Sequence, residues 1–292
     1  MSAPAMIAHL LLERLTRHCL PRTPEDQGVM EAAEQVAAFA DSGREQGILA
    51  YIYLFHAALS LPVIRSGDRV LDLACGPANQ LAQIARLNRD CQFVGVDASQ
   101  RMLGLARDTL ARENLDNVTL RHGDVTCLND LAAASFDAVL CTMSLHHLND
   151  VGALTRALAE VRRVLKPDGG LFLADFGRLK RAATQRFFAY DRADMQSAPF
   201  TLDFLHSMRA AFSFEELQNA LTDSRLDAHG YHTALAPFMM IFRSASRREL
   251  DPPLVQRVQA AFRQLDRGLQ RDFDNLARWF GLGGLPLPCP IR

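Results

Sequence analysis

The stretch Val70–Ala85, VLDLACGPANQLAQIA, joins an apolar segment to an amphipathic one through the turn Gly76-Pro77. The first part has the Val- and Leu-rich composition of a buried strand, and the second has apolar residues at helical spacing. A strand that turns directly into a helix leaves free backbone N–H groups at the helix start, where open α/β sheets bind ligands. The stretch therefore predicts a strand, a binding turn and a helix.

The whole chain has the composition of a globular protein. Its 292 residues are 49% hydrophobic and 22% charged, with a formal net charge of −1. These values exclude a disordered or fibrous chain and predict no nucleic-acid partner. No run reaches the roughly 20 apolar residues of a membrane-spanning helix, so we expect no membrane association. The six scattered cysteines include no CxxC pair, which predicts reduced thiols and a cytoplasmic location.

Short apolar strands alternate with helices from Arg69 onward, which is the pattern of a parallel sheet with crossover helices. Five strands are predicted in RVLDLA, QFVGVD, VTLRHGD, FDAVLC and GLFLADF, and two more within 232–244. Helices are predicted over 80–88, 101–112, 128–133, 152–165 and 213–222, the last with a capping box of Ser213 and Glu216. We expect a helical cap over 1–62, an α/β domain over 63–247 with an insertion at 178–212, and a C-terminal segment over 248–292.

The C-terminal segment carries an apolar stripe with alternating steps of three and four residues between Leu254 and Phe280. This spacing predicts one long amphipathic helix over 252–280. We favour packing of the stripe on the domain's own surface. The same spacing also suits a seam between two copies, so a homodimer through this helix stays open.

Acidic residues lie at or near the ends of the first three predicted strands and indicate the chemistry of the ligand. Asp72 would repel phosphate and attract an ammonium or sulfonium group. Asp97, about 20 residues after the binding turn, is placed to accept from two ribose hydroxyls, and Asp124 is placed to accept from an exocyclic amine. The residues therefore favour adenosine with a cationic tail over a dinucleotide, because the three set glycines that a dinucleotide requires are missing.

The chain resembles the class I S-adenosylmethionine-dependent methyltransferases over roughly residues 65–243. The resemblance rests on VLDLACGPANQLAQIA, FVGVDAS followed by Met102, LRHGDV, FDAVLCTMSLHHL and VLKPDGGLFLADF, in the family's order and spacing. It implies an α/β fold with a Rossmann-like, doubly wound, seven-stranded, mostly parallel sheet whose last strand is antiparallel. A helical N-terminal lid, a helical insertion after strand 5 and a long C-terminal helix would complete the fold.

The resemblance also implies that the cofactor is S-adenosyl-L-methionine, with S-adenosyl-L-homocysteine as its product. By motif position the cofactor-binding residues would be Asp72, Ala74, Gly76, Asn79, Asp97, Met102, Asp124, Val125, Cys141 and Thr142. Three residues depart from the family: Ala74 and Ala78 stand where glycine is usual, and Gln80 follows them. Alanine costs little where φ stays negative, so we expect negative φ at both positions and intact binding.

Two histidines and one aspartate are candidates for the catalytic chemistry. His146 and His147 follow the fourth strand at the edge of the crevice, where either could act as a general base. The alternative is that both only close a loop over the cofactor. Asp175 ends the fifth strand and would orient an acceptor or cap a turn. No group of His, Cys and carboxylates has metal-ligand spacing, so we predict no metal.

Aromatic residues of the cap and the insertion are candidates for a lid over the substrate: Tyr51, Tyr53, His56, Phe188, Tyr190 and Phe204. Methyl transfer needs donor and acceptor held close, aligned and dry. We therefore predict an enzyme that methylates an O, N or S nucleophile of a small molecule under this lid. The alternatives are a catalytically silent module that binds the cofactor and organises a protein complex, and an NAD-dependent dehydrogenase, which Asp72 and the missing glycines disfavour.

Overall fold

A seven-stranded sheet forms the centre of the computed structural model, which describes residues 3–25, 29, 36, 37, 39 and 47–291. Its strands are β1 (Arg69–Leu73), β2 (Gln92–Asp97), β3 (Val118–His122), β4 (Phe136–Thr142), β5 (Leu165–Phe176), β6 (His229–His232) and β7 (Met239–Arg243). The spatial order is β3-β2-β1-β4-β5-β7-β6. Strands β1 to β5 are parallel, and β7 is antiparallel to β5. The predicted Rossmann-like sheet with a reversed last strand is confirmed.

Helices flank the sheet and supply its connections. They are α1 (Ala3–Leu15), α2 (Ala50–Ser60), α3 (Asn79–Leu87), α4 (Gln100–Arg112), α5 (Val151–Val164), α6 (Ala182–Tyr190), α7 (Ala198–Ala210), α8 (Phe214–Asp223), α9 (Pro252–Gln264) and α10 (Arg267–Leu282). The capping box predicted from Ser213 and Glu216 begins α8. None of the helices in the described ranges is long and apolar enough to cross a bilayer.

The two faces of the sheet bury alternate residues of each strand, because successive side chains of a strand point in opposite directions. Val70 and Leu140 pack on one face, against α2, α3, α4, α9 and α10. Leu71 and Val139 pack on the other face, against α5 and α8. Because both faces are buried, the sheet is a rigid support. The loops that bind ligands follow the carboxyl ends of its strands.

The prediction of one long C-terminal helix is wrong. Leu265 has the extended backbone angles φ −66° and ψ 143°, and it separates α9 from α10. The side-chain amide of Gln270 donates to the carbonyls of Phe262 and Leu265, so the end of α9 is satisfied without a continuing helix. The apolar stripe of both helices is buried in the chain's own core, which is the arrangement that the sequence analysis favours over a homodimer seam.

Two shorter elements also differ from prediction. Residues 128–133 form turns instead of a helix, because side chains of α5 satisfy their backbone: Glu160 accepts from the N–H of Leu128, and Arg163 donates to the carbonyls of Leu128 and Leu131. Strand β6 precedes the predicted range and ends at His232. The residues that follow form a loop in which the Thr233 hydroxyl donates to the Ala236 carbonyl.

Candidate active site

A cavity of about 390 Å³ opens at the carboxyl ends of β1, β2 and β4. This cavity, called the cofactor cavity below, is lined by nine of the ten residues predicted to bind cofactor: Asp72, Ala74, Gly76, Asn79, Asp97, Met102, Asp124, Val125 and Thr142. They come from four different strand ends and from the helices that follow them. The topology therefore brings together residues that are up to 70 positions apart.

The turn after β1 has an unusual backbone. Ala74 has φ 53°, Gly76 has φ 53° and Ala78 has φ 59°. The expectation of negative φ at the two alanines is wrong, because the turn needs the left-handed conformation at the same places where glycine is usual. A Cβ in this region costs roughly 1–2 kcal/mol per residue. The chain therefore keeps the shape of a glycine-rich turn at an energetic cost.

Asp97 holds this turn against the loop after β2. Its carboxylate oxygens accept hydrogen bonds from the backbone N–H of Gly76 at 2.8 Å and from that of Ser99 at 2.8 Å. Each carboxylate oxygen has two acceptor sites, so one carboxylate can bond to both loops and to a ligand hydroxyl. Asp97 thus shapes the cavity as well as lining it.

The carboxyl group of Asp72 is strongly perturbed by its surroundings in the cofactor cavity. It is 2% exposed, and its Oδ1 atom has no hydrogen-bond partner among the described residues. Burial raises its pKa to about 8, and the neighbouring Asp97 contributes in the same direction. A buried carboxyl without a partner is costly unless a cation or donor arrives. The position therefore suits the cationic amino-acid tail of S-adenosylmethionine.

A second cavity, of about 220 Å³, lies beside the first and is mainly apolar. This acceptor cavity is lined by α1, α2, α6, α7, α10 and the β6–β7 loop, and it includes four of the predicted lid residues: Tyr51, Tyr53, Phe188 and Phe204. Tyr53, Met143 and His147 line both cavities. The two spaces therefore meet at the loop after β4.

That loop carries two histidines, each paired with a carboxylate. His146 Nδ1 lies 2.6 Å from Asp175 Oδ1, and the backbone N–H of His146 donates to Asp175 Oδ2 at 2.9 Å. Burial alone would lower the pKa of His146, but the negative charge of Asp175 and the hydrogen bond to it raise the pKa above its usual value. His147 Nδ1 lies 2.5 Å from Glu25 Oε2. The two rings are 4.2 Å apart, centroid to centroid.

Glu25 reaches His147 from the N-terminal segment 16–25, which belongs to the predicted N-terminal lid but contains none of the predicted site residues. The guanidinium of Arg22 fixes this segment by donating to the carbonyls of His146, Leu148, Asn149 and Ala210. Burial alone would raise the pKa of Glu25. The hydrogen bond from His147 and the nearby histidine charges hold this pKa below its usual value. Nothing in PRTPEDQG signals this role, because the contact spans 122 positions.

Four predicted residues lie outside the cavities, and each has a physical reason. Cys141 points into the core under β4, since it alternates with Thr142 along the strand. Asp175 stands behind His146 and is 3% exposed. His56 is inside the core against Phe55 and Phe172, where burial lowers its pKa to about 4. Tyr190, at the end of α6, is 47% exposed.

Glu25 and the two histidines of the loop after β4 also have the spacing of a metal site. One ligand atom each from Glu25, His146 and His147 lie within 4.8 Å of one another. The sequence predicts no metal, and the direct pairing of each histidine with a carboxylate is the arrangement of acid–base chemistry. Chelation of metals is therefore a control in the experiments below.

Comparisons with known proteins agree with this geometry. Residues 70–169 match the family model described as "Methyltransferase domain". The 27-O-demethylrifamycin SV methyltransferase of Amycolatopsis mediterranei is 35% identical over 114 residues, which are 39% of this chain and 40% of that protein. The ubiquinone/menaquinone biosynthesis C-methyltransferase UbiE of Teredinibacter turnerae is 34% identical over 135 residues, 46% of this chain and 52% of that protein.

Solved structures extend the likeness of the fold. A SAM-dependent methyltransferase from Aquifex aeolicus superposes with a TM-score of 0.54 at 16% identity, over 73% of this chain and 98% of that one. The matched segments span between 31% and 52% of the first curated relatives' lengths. Residues 70–169 are therefore similar to a methyltransferase domain, and the fold of the chain is that of the solved SAM-dependent methyltransferase.

Proposed function

We propose that this protein transfers a methyl group from S-adenosylmethionine to an O, N or S nucleophile of a small molecule. The observation that carries the proposal is the meeting of the two cavities at Tyr53, Met143 and His147. A cavity lined by carboxylates next to a more apolar one gives separate places to a charged cofactor and an acceptor. The free state of all six cysteines supports action in the cytoplasm.

The residues of the cofactor cavity match the parts of S-adenosylmethionine. Asp72 would neutralise the ammonium group, Asp97 would accept from the ribose hydroxyls, and Met102 with Val125 would pack on the adenine. When bound, the cofactor supplies an electrophilic methyl group on a sulfonium. The unpaired Oδ1 of Asp72 supports this match, because a ligand cation relieves the cost of the buried carboxyl.

The protein's own contribution is to position the reactants and to exclude water. The apolar walls of the acceptor cavity keep the acceptor dry and aligned, which is worth several kcal/mol in an in-line displacement. His147, at the junction of the cavities, would take a proton from an acceptor that carries one. His146 and Asp175 would hold the loop that presents His147.

The test is formation of S-adenosylhomocysteine from S-adenosylmethionine with a panel of phenols, thiols and amines. Asp97→Asn removes an acceptor from the turn and should weaken cofactor binding at least about tenfold, because hydrogen bonds to charged groups contribute about 1.5–3 kcal/mol. The matched control is Asp108→Asn on the exposed side of α4, which should bind like the parent. Binding of the cofactor with no turnover of any acceptor would favour the silent module instead.

A further inference from the structure

We propose that the acceptor is an uncharged aromatic hydroxyl compound of one or two rings, and that Glu25 positions His147 to take its proton. The inference rests on the proposed methyl transfer and gives its acceptor a chemical class. It is carried by the lining, size and charge of the acceptor cavity and by the pairing of His147 with Glu25.

The wall of the acceptor cavity is largely aromatic. Phe188 stacks on Phe238 with ring centroids 4.1 Å apart, and Phe176 lies 5.1 Å from Phe204 and 6.1 Å from Phe238. Phe200 and Trp279 add further ring surface. Aromatic pairs prefer offset and edge-to-face contacts at these distances. A planar ring inserted here would extend a network that the side chains already form.

The size of the cavity limits the acceptor. An apolar cavity of about 150 Å³ in another protein accommodates benzene. The volume of about 220 Å³ here is therefore enough for one substituted ring or two fused rings. A larger acceptor would have to extend beyond this volume.

Charge selects against an anionic acceptor. The described lining includes three carboxylates, Asp191, Asp203 and Asp272, against one guanidinium, that of Arg192. Arg192 lies 2.5 Å from Asp272 and 3.8 Å from Asp191, so its charge is already balanced. A carboxylate or phosphate on the acceptor would meet more carboxylates than guanidinium groups in the described lining, at low dielectric. The favoured acceptor enters neutral, with its hydroxyl proton in place.

A neutral hydroxyl must lose its proton to become an effective nucleophile, and His147 lies where that proton leaves. When Nδ1–H donates to Glu25 at 2.5 Å, Nε2 is the unprotonated nitrogen. The acceptor oxygen gives its proton to Nε2 and bonds to the methyl carbon as the carbon–sulfur bond breaks, with that electron pair staying on sulfur. The carboxylate of Glu25 stabilises the imidazolium that results.

Glu25 is held in place independently of the substrate. Besides His147, it accepts a hydrogen bond from the Ser207 hydroxyl at 3.0 Å. The backbone N–H of Thr23 donates to the Arg209 carbonyl at 3.0 Å, and Arg22 stacks on the ring of Phe212 at 4.1 Å. The N-terminal segment 16–25 is therefore part of the catalytic arrangement, and Glu25 is a positioning residue.

The first experiment measures binding without the cofactor. Calorimetry compares 2-naphthol with 2-naphthoate, which have the same ring system and differ in charge. We expect 2-naphthol to bind at least tenfold more tightly, and Phe204→Ala to weaken it. Equal or tighter binding of 2-naphthoate would overturn the assignment of a neutral acceptor, whatever the methyl-transfer assay shows.

The second experiment tests the role of Glu25 in turnover. Glu25→Gln should lower kcat for 2-naphthol by about 10- to 1,000-fold with little change in KM, which is less than the full contribution of about 100- to 10,000-fold from a general base because His147 remains. A nitrophenol that is ionised at neutral pH needs no base, so its loss should be much smaller. Glu25→Asp should restore part of the rate, and the exposed Glu249→Gln is the matched control.

Equal losses for the neutral and the ionised phenol would overturn the positioning role, because a merely structural defect does not depend on acceptor acidity. Loss of wild-type activity in a chelator, with recovery on adding a divalent cation, would instead assign Glu25, His146 and His147 to a metal. Turnover of thiols or amines but not phenols would overturn this inference and leave the proposed function intact. Failure to bind S-adenosylmethionine at all would contradict the proposed function itself.

Discussion

The carboxyl group of Asp72 lies close enough to that of Asp97 for the negative charge of Asp97 to add to the effect of burial, which together raise the pKa of Asp72 to about 8. At pH 7 the ligand-free protein therefore holds Asp72 mainly in its protonated form. The two carboxyls belong to different strands, β1 and β2, and both line the cofactor cavity. A cationic ligand between them would change the protonation of the site.

The raised pKa of Asp72 predicts a pH-dependent cost of folding. From about pH 4 to pH 8 the unfolded chain gives up a proton that the folded protein retains, so the free energy of unfolding falls as pH rises. Asn cannot ionise, and Asp72→Asn should remove this slope. It should stabilise the ligand-free protein by about 2 kcal/mol or more at pH 8, since a tenfold change in an acidity constant corresponds to about 1.4 kcal/mol. Urea unfolding at several pH values checks this, and a parallel pH dependence in parent and variant would contradict it.

The left-handed backbone at Ala74 and Ala78 predicts that glycine is better at both places. Ala78→Gly should raise the free energy of unfolding by up to about 1 kcal/mol, because relief of the Cβ strain exceeds the entropy that glycine loses. The control is Ala159→Gly, at an exposed position inside α5. It should change stability in the opposite direction and lower the free energy of unfolding by about 1 kcal/mol. Thermal unfolding measures both. Destabilisation by Ala78→Gly would show that the turn is not strained.

Glu13 links α1 to the residues that precede α6, so we expect its substitution to destabilise the protein. Its side chain is buried, and its carboxylate accepts from the backbone N–H of Lys180 at 2.6 Å and of Arg181 at 3.0 Å, just before α6 begins. Glu13→Gln replaces one acceptor with a donor and should cost about 1–3 kcal/mol. Thermal unfolding of Glu13→Gln is compared with that of the exposed control Glu249→Gln. Equal stability of the two variants would refute the link.

The hydrogen bonds of Arg22 hold the N-terminal segment 16–25 in place. We expect this segment to detach when the guanidinium of Arg22 is removed. Arg22→Ala leaves carbonyls of the His146 loop without their donor, and we expect faster hydrogen exchange at residues 16–25 and 146–149. Glu25 would then lose its contact with His147, so turnover should fall about as much as in Glu25→Gln. Unchanged exchange together with unchanged turnover would separate this segment from the site.

The sheet was predictable because its signal is local. Each strand and the turn after it are contiguous, so periodicity and breakers such as Gly76-Pro77 mark them directly. The nine lining residues of the cofactor cavity follow from the same motifs. The break at Leu265 was not predictable, since the apolar stripe continues through it and a capping contact from Gln270 decides it.

The acceptor side of the site depends on contacts between distant segments. Glu25 and His147 are 122 positions apart, and Arg192 pairs with Asp272 across 80 positions. No local pattern encodes such pairs. The side-chain direction of Cys141 and the burial of His56 likewise depend on packing, which a motif position does not specify.

Calorimetric titration with S-adenosylmethionine at pH 7, in two buffers of different ionisation enthalpy, tests the central claim most directly. We predict binding accompanied by release of close to one proton, because the ligand's ammonium group would lower the raised pKa of Asp72. Asp72→Asn should bind more weakly and release no proton, and NAD should not bind. Absence of S-adenosylmethionine binding by the folded protein, or binding of NAD in its place, would contradict the account.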